Sequence, residues 1–394
     1  MMSRYPARSR VLAAVAFALC VPACAVRTTG SPPVMLVPVS SGAPKLPLSG
    51  LIDMQDISWH NTDAGRPMFV IGNVQQFPGL FGGIVINATW AQMQASAGGG
   101  VDFSQVDNAL AMVRTYNVAN AQAPLGVKLR IYNGNSAPQW AKQLPGGPVT
   151  IYRNKAGCRE LVDTCPLTIG PFWTAPYIAA WRAFQAAVAA KYDGEPLIRA
   201  VAVTSCASQT DEPFVPTAGP VSIANLRSAN YSDMAEQACL SGALADYATW
   251  KLTGIDYTFN TYTNFSGGGT NPAFAVGVMQ ACIDPVKGVG TRCILDNHAL
   301  ETPLYSPDAM IYAEMSSAAG AVVNFQTQAP AGMGCLWRDT IAQGVAVGAR
   351  AIEVWPNNDG FTTLNATQIG ELAREFSSPI PVSGATPGPC PGFY

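Results

Sequence analysis

The residues from which this chain would build any chemistry stand at the ends of its apolar segments. In "AVVNFQTQAP", residues 321–330, Asn324, Gln326 and Gln328 fall on one face of an extended segment, and Val323 and Phe325 fall on the other. Asn87 and Trp90 close "GGIVINATW"; Tyr132 and Asn133 close "GVKLRIYNG", with Trp140 shortly after. "SCASQTDEP" follows another such segment and carries Asp211 and Glu212. Asp296, Asn297 and His298 lie in "RCILDNHAL", with Glu301 just beyond it. Trp355 ends the last segment and is followed by Asn357, Asn358 and Asp359. Aromatic faces stack on the apolar side of a sugar ring and amides hydrogen-bond its hydroxyls, so this composition fits a carbohydrate site. Any single tryptophan here fits core packing equally well. The recurrence of the same residue types at several ends is what points to sugar.

Other chemistries lack their residues. There are two histidines, no CxxC and no His-rich spacing, so neither a zinc site nor any other metal is expected. No G-x-S-x-G elbow occurs, and no Gly-rich phosphate loop follows a strand, so no nucleotide cofactor is expected. Charged residues make up 12% and the formal net charge is −2, which leaves no basic face for nucleic acid.

Elements must position these ends. The segments 68–74, 82–90, 126–134, 198–205, 273–280, 292–300, 321–328 and 350–356 read as strands. Amphipathic stretches separate most of them: "FSQVDNALAMVRTYN" puts Val106, Leu110 and Val113 on one stripe. "TAPYIAAWRAFQAAVAAKY" does the same with Ile178, Trp181, Phe184 and Val188, with Thr174 as its N-cap. Ser232 and Ser306 are the caps expected for later helices, and "LNATQIGELAREF" supplies the last. The first strand has no proper helix after it. Eight strands alternating with helices predict an α/β fold of the (β/α)8 TIM-barrel type with disulfide-bonded loops. A doubly wound sheet is the competing architecture. In a barrel the functional face is the C-terminal ends of the strands, which is where the amides and tryptophans stand.

The N-terminus reads as an export segment, residues 1–25. Arg4, Arg8 and Arg10 precede the apolar stretch "VLAAVAFALCVPA", 13 residues long, too short for a membrane span. "VPAC" offers Cys24 for lipidation, while Ala23-Cys24-Ala25 also suits ordinary cleavage. Residues 26–50 are rich in Pro, Ser and Gly and read as a linker, leaving 51–394 as one barrel domain. The protein is therefore expected outside the cell or on its surface, touching membrane only through a lipid anchor. Apart from Cys20 and Cys24, eight cysteines remain, an even number that in an exported chain points to disulfides. Local pairing joins Cys158 to Cys165, Cys206 to Cys239, Cys282 to Cys293 and Cys335 to Cys390.

Over roughly residues 55–375 the chain resembles clan A glycoside hydrolases, especially family 42 β-galactosidases. The resemblance is carried by Trp90 at a strand end, "DFSQVD" opening the next helix, and an apolar strand leading to "APQW". "FQAAVAAKYDGEPLIRAVAVTS" is similar to the approach to strand four, "ILDNHAL" to strand six with His298 near the sugar, and "IEVWP" to strand eight with Trp355 stacking on it. The resemblance implies a general acid/base Glu after strand four, which maps onto Glu212, without the usual preceding Asn. Asp211 is the substitute, and a solvated loop pair is the competing reading. It also implies a nucleophilic Glu at the tip of strand seven, where this chain has "FQTQ". An amide can neither form the covalent intermediate nor act as base for water.

Three alternatives remain for the missing carboxylate. Glu353 lies two residues before Trp355 and shares its face, although Arg130 would enter the same interior and pair with it as a purely structural ion pair. Asp296 or Glu301 would supply it from strand six, at a separation suited to inversion, about 6.5–9.5 Å rather than about 5–5.5 Å. Or a glutamine holds a substrate group that is its own nucleophile. His298 is either a sugar contact or a scaffold residue; His60, beside Trp59, is placed to line the same mouth. The expected activity is glycoside hydrolysis. The competing class is a carbohydrate-binding lipoprotein that has lost its nucleophile.

Overall fold

The computed structural model describes residues 42–55, 69–152, 166–212, 219–265, 267, 269–328, 336–356 and 360–377. Eight parallel strands close on themselves. In chain order they are Gly50–Asp53 (β1), Gly83–Thr89 (β2), Gly126–Tyr132 (β3) and Ile198–Ala202 (β4). Gly254–Thr258 (β5), Cys293–Asp296 (β6), Val322–Gln326 (β7) and Ala351–Val354 (β8) complete them. Each pairs with its sequence neighbours, and β8 returns to pair with β1. The expected (β/α)8 barrel is the observed one.

Two of the eight strands differ from expectation. β1 is the four-residue "GLID", while the segment expected as the first strand holds a helical turn at Gly72–Gln75. Val74 and Phe77, three residues apart, are buried there while Gln75 and Gln76 between them are exposed, which is the spacing of a helical turn and not of a strand. The fifth strand is "GIDYT", and the apolar run at 273–280 lies inside a helix, Pro272–Ile283. Its Asn271 cap accepts the Phe274 N–H, and twelve residues are long for a strand but ordinary for a helix.

Apolar residues fill the base of the barrel. Leu48, Ile52, Val85, Ala200, Ile294 and Ala351 pack together inside the strand ring. Three glycines at strand starts make room for them. A Cβ at Gly126 would stand 2.5 Å from Leu48, one at Gly254 2.7 Å from Ile294, and one at Gly83 2.8 Å from Ile52. Lys45 latches the incoming chain beneath this plug, donating to the carbonyls of Glu195 (2.7 Å) and Ile198 (2.8 Å) and to Thr253 Oγ1 (2.9 Å). Burial lowers its pKa to about 8, so near that pH the latch begins to lose its charge.

Outside the strands a larger core holds the helices. Ser104–Ala119 (α1) buries Val106, Leu110 and Val113, as their spacing predicts. Ala175–Tyr192 (α2) buries Trp181, Phe184 and Val188, but Ile178, expected on the same stripe, is only half-buried and Tyr177 is buried beside it. Thr174 stands at the start of α2, but its hydroxyl donates back to the Pro171 carbonyl and does not cap. Ser232 does cap its helix, accepting from Ala235 N, and Asn365 forms a full capping box. Ser306 opens a short 3₁₀ turn, and Asp308 takes the cap position of the helix that follows.

Two disulfides pin this frame. Cys206, just after β4, joins Cys239 on the helix Asp233–Gly242, and Cys282 joins Cys293 at the start of β6. Cys158, Cys165, Cys335 and Cys390 lie outside the described residues, as do Cys24 and the export segment. The two links span 33 and 11 residues. In the chain-entropy account, Cys206→Ser/Cys239→Ser should cost about 4 kcal/mol and Cys282→Ser/Cys293→Ser about 3 kcal/mol. Urea unfolding of the two double variants checks both values, and the reverse ranking would contradict loop length as the cause.

Candidate functional site

β3 carries Lys128, Arg130 and Tyr132 at period two, all buried, so the three enter the barrel one above another. An ammonium inside a closed barrel needs counter-charge, and three strands supply it. Lys128 Nζ lies 2.7 Å from Asp256 on β5, 2.8 Å from Asp296 on β6 and 2.6 Å from Glu353 on β8. One level higher, the Arg130 guanidinium meets Asp211 and Glu353 at 2.6 Å each. His298 sits beside them, its Nε2 3.2 Å from both Asp296 and Thr258 and its Nδ1 3.7 Å from Asp211.

Charge in this column balances through one shared proton. Burial and the neighbouring Asp296 push Asp256 well above the carboxylate range, so it keeps its proton and hydrogen-bonds Asp296. Asn324 donates to Asp256 Oδ2 at 3.1 Å, while Lys128 lies against Oδ1. Burial opposes ionisation of Asp296 too, but Lys128 and His298 pull it well below its ordinary value. Burial would likewise keep His298 neutral, yet Asp211 and Asp296 outweigh it and raise the imidazole to about 9. Near neutral pH three cations then face three carboxylates, with Asp256 as the proton donor between them.

Two expected catalytic acids are therefore absorbed into the wall. Glu353 is 3% exposed and is a counter-ion to Lys128 and Arg130, the structural alternative to its catalytic role. Asp296, fully buried between Lys128 and His298, is corrected in the same way. Asp211 cannot substitute for Glu212, because it holds Arg130 and is kept ionised by it against the push of burial.

Several expected sugar contacts are packing or scaffold residues. Trp90 is 0% exposed and meets Trp140, Tyr177, Trp181 and Phe184 edge-on or tilted at 5.2–5.6 Å between ring centroids. It opens the helical turn Trp90–Met93, capped by Thr89, that follows β2, and this turn carries it into the helix layer. Trp140 is half-buried against Trp90 and donates to the Gln94 carbonyl. Asn87 donates to the Met54 carbonyl, and Tyr132 is buried above Arg130. Tyr177 caps the Asn133 side chain through its hydroxyl. His298, 3% exposed, is likewise part of the ion column.

What stays partly open at the mouth is a smaller set. Glu212 is half-buried above β4, and burial raises the pKa of its carboxyl, with Asp211 adding to the shift and His298 opposing it. Asn260, just beyond β5, donates to Glu212 Oε1 at 3.3 Å, and Thr210 donates to Oε2 at 3.3 Å. Gln326 ends β7 at 9% exposure. Gln328 and Trp355 are half-exposed beside it, the indole N–H donating to the Thr327 carbonyl at 3.0 Å. Glu301 is also partly open, and partial burial with Asp308 nearby raises its pKa. His60, Trp59, Asn357, Asn358 and Asp359 lie outside the described residues.

Sequence reasoning missed Lys128, Asp256, Asn260 and the buried Asp53. The signal for Lys128 was present: "VKLRIY" places two cations at period two within an apolar strand, which a buried strand tolerates only with inward counter-charges. Asp256 and Asn260 were hidden by the misplacement of strand five.

No protein-family model matches the chain, and no curated protein matches it in sequence. Among solved structures it is similar to an endoglucanase of Pseudomonas stutzeri, with 12% identity and a TM-score of 0.41 over 87% of this chain and 97% of that one. It is also similar to an endo-β-1,4-glucanase of Bacillus halodurans, with 11% identity and a TM-score of 0.45 over 85% of this chain and 60% of that one. A β-galactosidase of Rahnella sp. gives 10% identity and a TM-score of 0.47 over 86% and 58%. The chain thus spans less than two thirds of the length of the last two. At these identities and scores, the likeness says nothing of the reaction at this mouth.

Proposed function

We propose that the barrel mouth binds a glycan and that water cleaves its glycosidic bond. Glu212 delivers the proton to the leaving oxygen, and Glu301, the other partly open carboxyl, takes the proton of the attacking water. One observation carries this. Glu212 is a partly open carboxyl that burial keeps inclined to hold its proton, poised above a barrel whose interior charges neutralise one another. That is the state a general acid needs. Gln328 and Trp355 beside β7 and β8 supply an amide and an aromatic face for the sugar. The two disulfides suit an oxidising compartment, in keeping with export or surface attachment through Cys24.

Binding without turnover is the second reading, favoured by Gln326 at the tip of β7 and by the engagement of Glu353 and Asp296 in ion pairs. A panel of aryl glycosides and glycans on wild type and Glu212→Gln separates the two. Hydrolysis predicts that Glu212→Gln lowers kcat about 10²–10⁴-fold on glycans, with less loss on aryl glycosides whose leaving group needs no proton. Glycan binding should survive the change. No turnover by wild type together with retained binding would leave only the second reading.

A further inference from the structure

We propose that Asn260 is a positioning residue for Glu212, holding its carboxyl in place across the mouth from the loop after β5. This rests on the hydrolytic reading above, but its geometry is independent of it. The Asn260 side-chain oxygen accepts the main-chain N–H of His298 at 2.9 Å, and a main-chain nitrogen only donates. The amide orientation is thereby settled, and its NH₂ must face Glu212, where it donates to Oε1 at 3.3 Å. Oε2 accepts from the Thr210 hydroxyl at 3.3 Å, so each carboxyl oxygen has its own donor and the side chain is held in place.

The support beneath Asn260 is rigid. Thr261, the next residue, gives its N–H to Asp308 at 3.0 Å and its hydroxyl to the Pro307 carbonyl at 2.8 Å. Asp308 also takes the Asn297 side-chain amide at 2.7 Å, so one buried carboxylate ties the loop after β5 to the loop after β6. Asn260 is held between these loops and spans the gap to the loop after β4. The charged groups that bear on Glu212 are His298 and Asp211, the latter paired with Arg130. Asn260 is its neutral partner, favouring the ionised form and so limiting how far burial raises the acid.

The test is a carboxyl NMR titration of Glu212 in the full chain labelled with ¹³C-glutamate, the signal assigned with Glu212→Gln. Asn260→Ala removes the donor and should raise the Glu212 midpoint by about one pH unit. Asn260→Asp keeps an acceptor for His298 N but replaces the donor with a like charge, and should raise the midpoint further. Unchanged midpoints in both variants would overturn the assignment. Where wild type turns over a glycoside, the alkaline limb of kcat/KM should move up with the midpoint. Where it turns over none, the hydrolytic reading falls while the titration still decides the role of Asn260.

Discussion

Lys128→Met should destabilise the barrel by about 3–5 kcal/mol, a large share of the roughly 5–15 kcal/mol that holds a folded domain together. The expectation follows from what the substitution leaves behind. Asp256, Asp296 and Glu353 converge on one ammonium at 2.6–2.8 Å, and all are buried. Without it, carboxyls face one another with no water to screen them. They must then take up protons or the barrel must open, and either route costs stability at neutral pH. Methionine nearly matches the lysine stem in volume, so lost packing is not the cause. The double variant Lys128→Met/Asp296→Asn removes one charge of each sign, leaves Arg130 and His298 against Asp211 and Glu353, and should recover much of the loss. Guanidinium unfolding followed by circular dichroism measures both. A loss below about 1 kcal/mol in the single variant would mean that the column is not the electrostatic keystone its geometry describes.

The second large effect concerns pH. Burial raises Asp53 to about 7, and Gln55 and Asn73 only partly offset it; Glu236, buried beside Tyr231, is raised to about 8. His298 is raised to about 9 by Asp211 and Asp296 against the opposition of burial. In each case the folded chain holds a proton that the unfolded chain releases earlier. The contributions of Asp53 and Glu236 are fully present below about pH 4 and are lost as pH rises through about 7 and 8. That of His298 is present below about pH 6.5 and lost through about 9. Asp211 and Asp296 act in the opposite sense, because their pKa values are depressed, and their stabilisation disappears as pH falls below about 4. Stability should therefore peak on the acid side of neutral and decline by several kcal/mol towards pH 9. Each pH unit between folded and unfolded pKa contributes about 1.4 kcal/mol. Melting temperatures from pH 4 to 9 would show this slope, and Asp53→Asn should flatten it between about pH 4 and 7. A Tm that rises steadily to pH 9 would contradict the assigned protonation states.

How far the chain can be read from its letters differs from element to element. The helix stripes at Val106, Leu110 and Val113 and at Trp181, Phe184 and Val188 are local periodicities, and both hold. So do the short-range links Cys206–Cys239 and Cys282–Cys293, because nearby cysteines in an oxidised chain have few better partners. β1 and β5 escaped detection for opposite reasons. "GLID" is too short and follows a Pro- and Ser-rich stretch, whereas "GIDYT" centres on a charge that marks a buried strand only when a cation lies across the barrel.

The sequence by itself determined six of the eight strands, the helices between most of them, and the concentration of amides and aromatics near strand ends. It also raised the possibility that Arg130 and Glu353 meet. Only the tertiary structure decided which side of each strand is inside, since period two sets the alternation of faces but not which of them is buried. That choice sent Leu129 into the helix layer and Lys128 into the barrel. Barrel closure then brought residues as far apart as Lys128 and Glu353 within 2.6 Å of each other, turning expected catalytic acids into counter-ions. It left Glu212, within hydrogen-bond reach of Asn260, and Glu301 partly open, each with a pKa that burial raises. Coulomb energy inside a low-dielectric barrel depends on those three-dimensional separations, and no spacing along the chain encodes them.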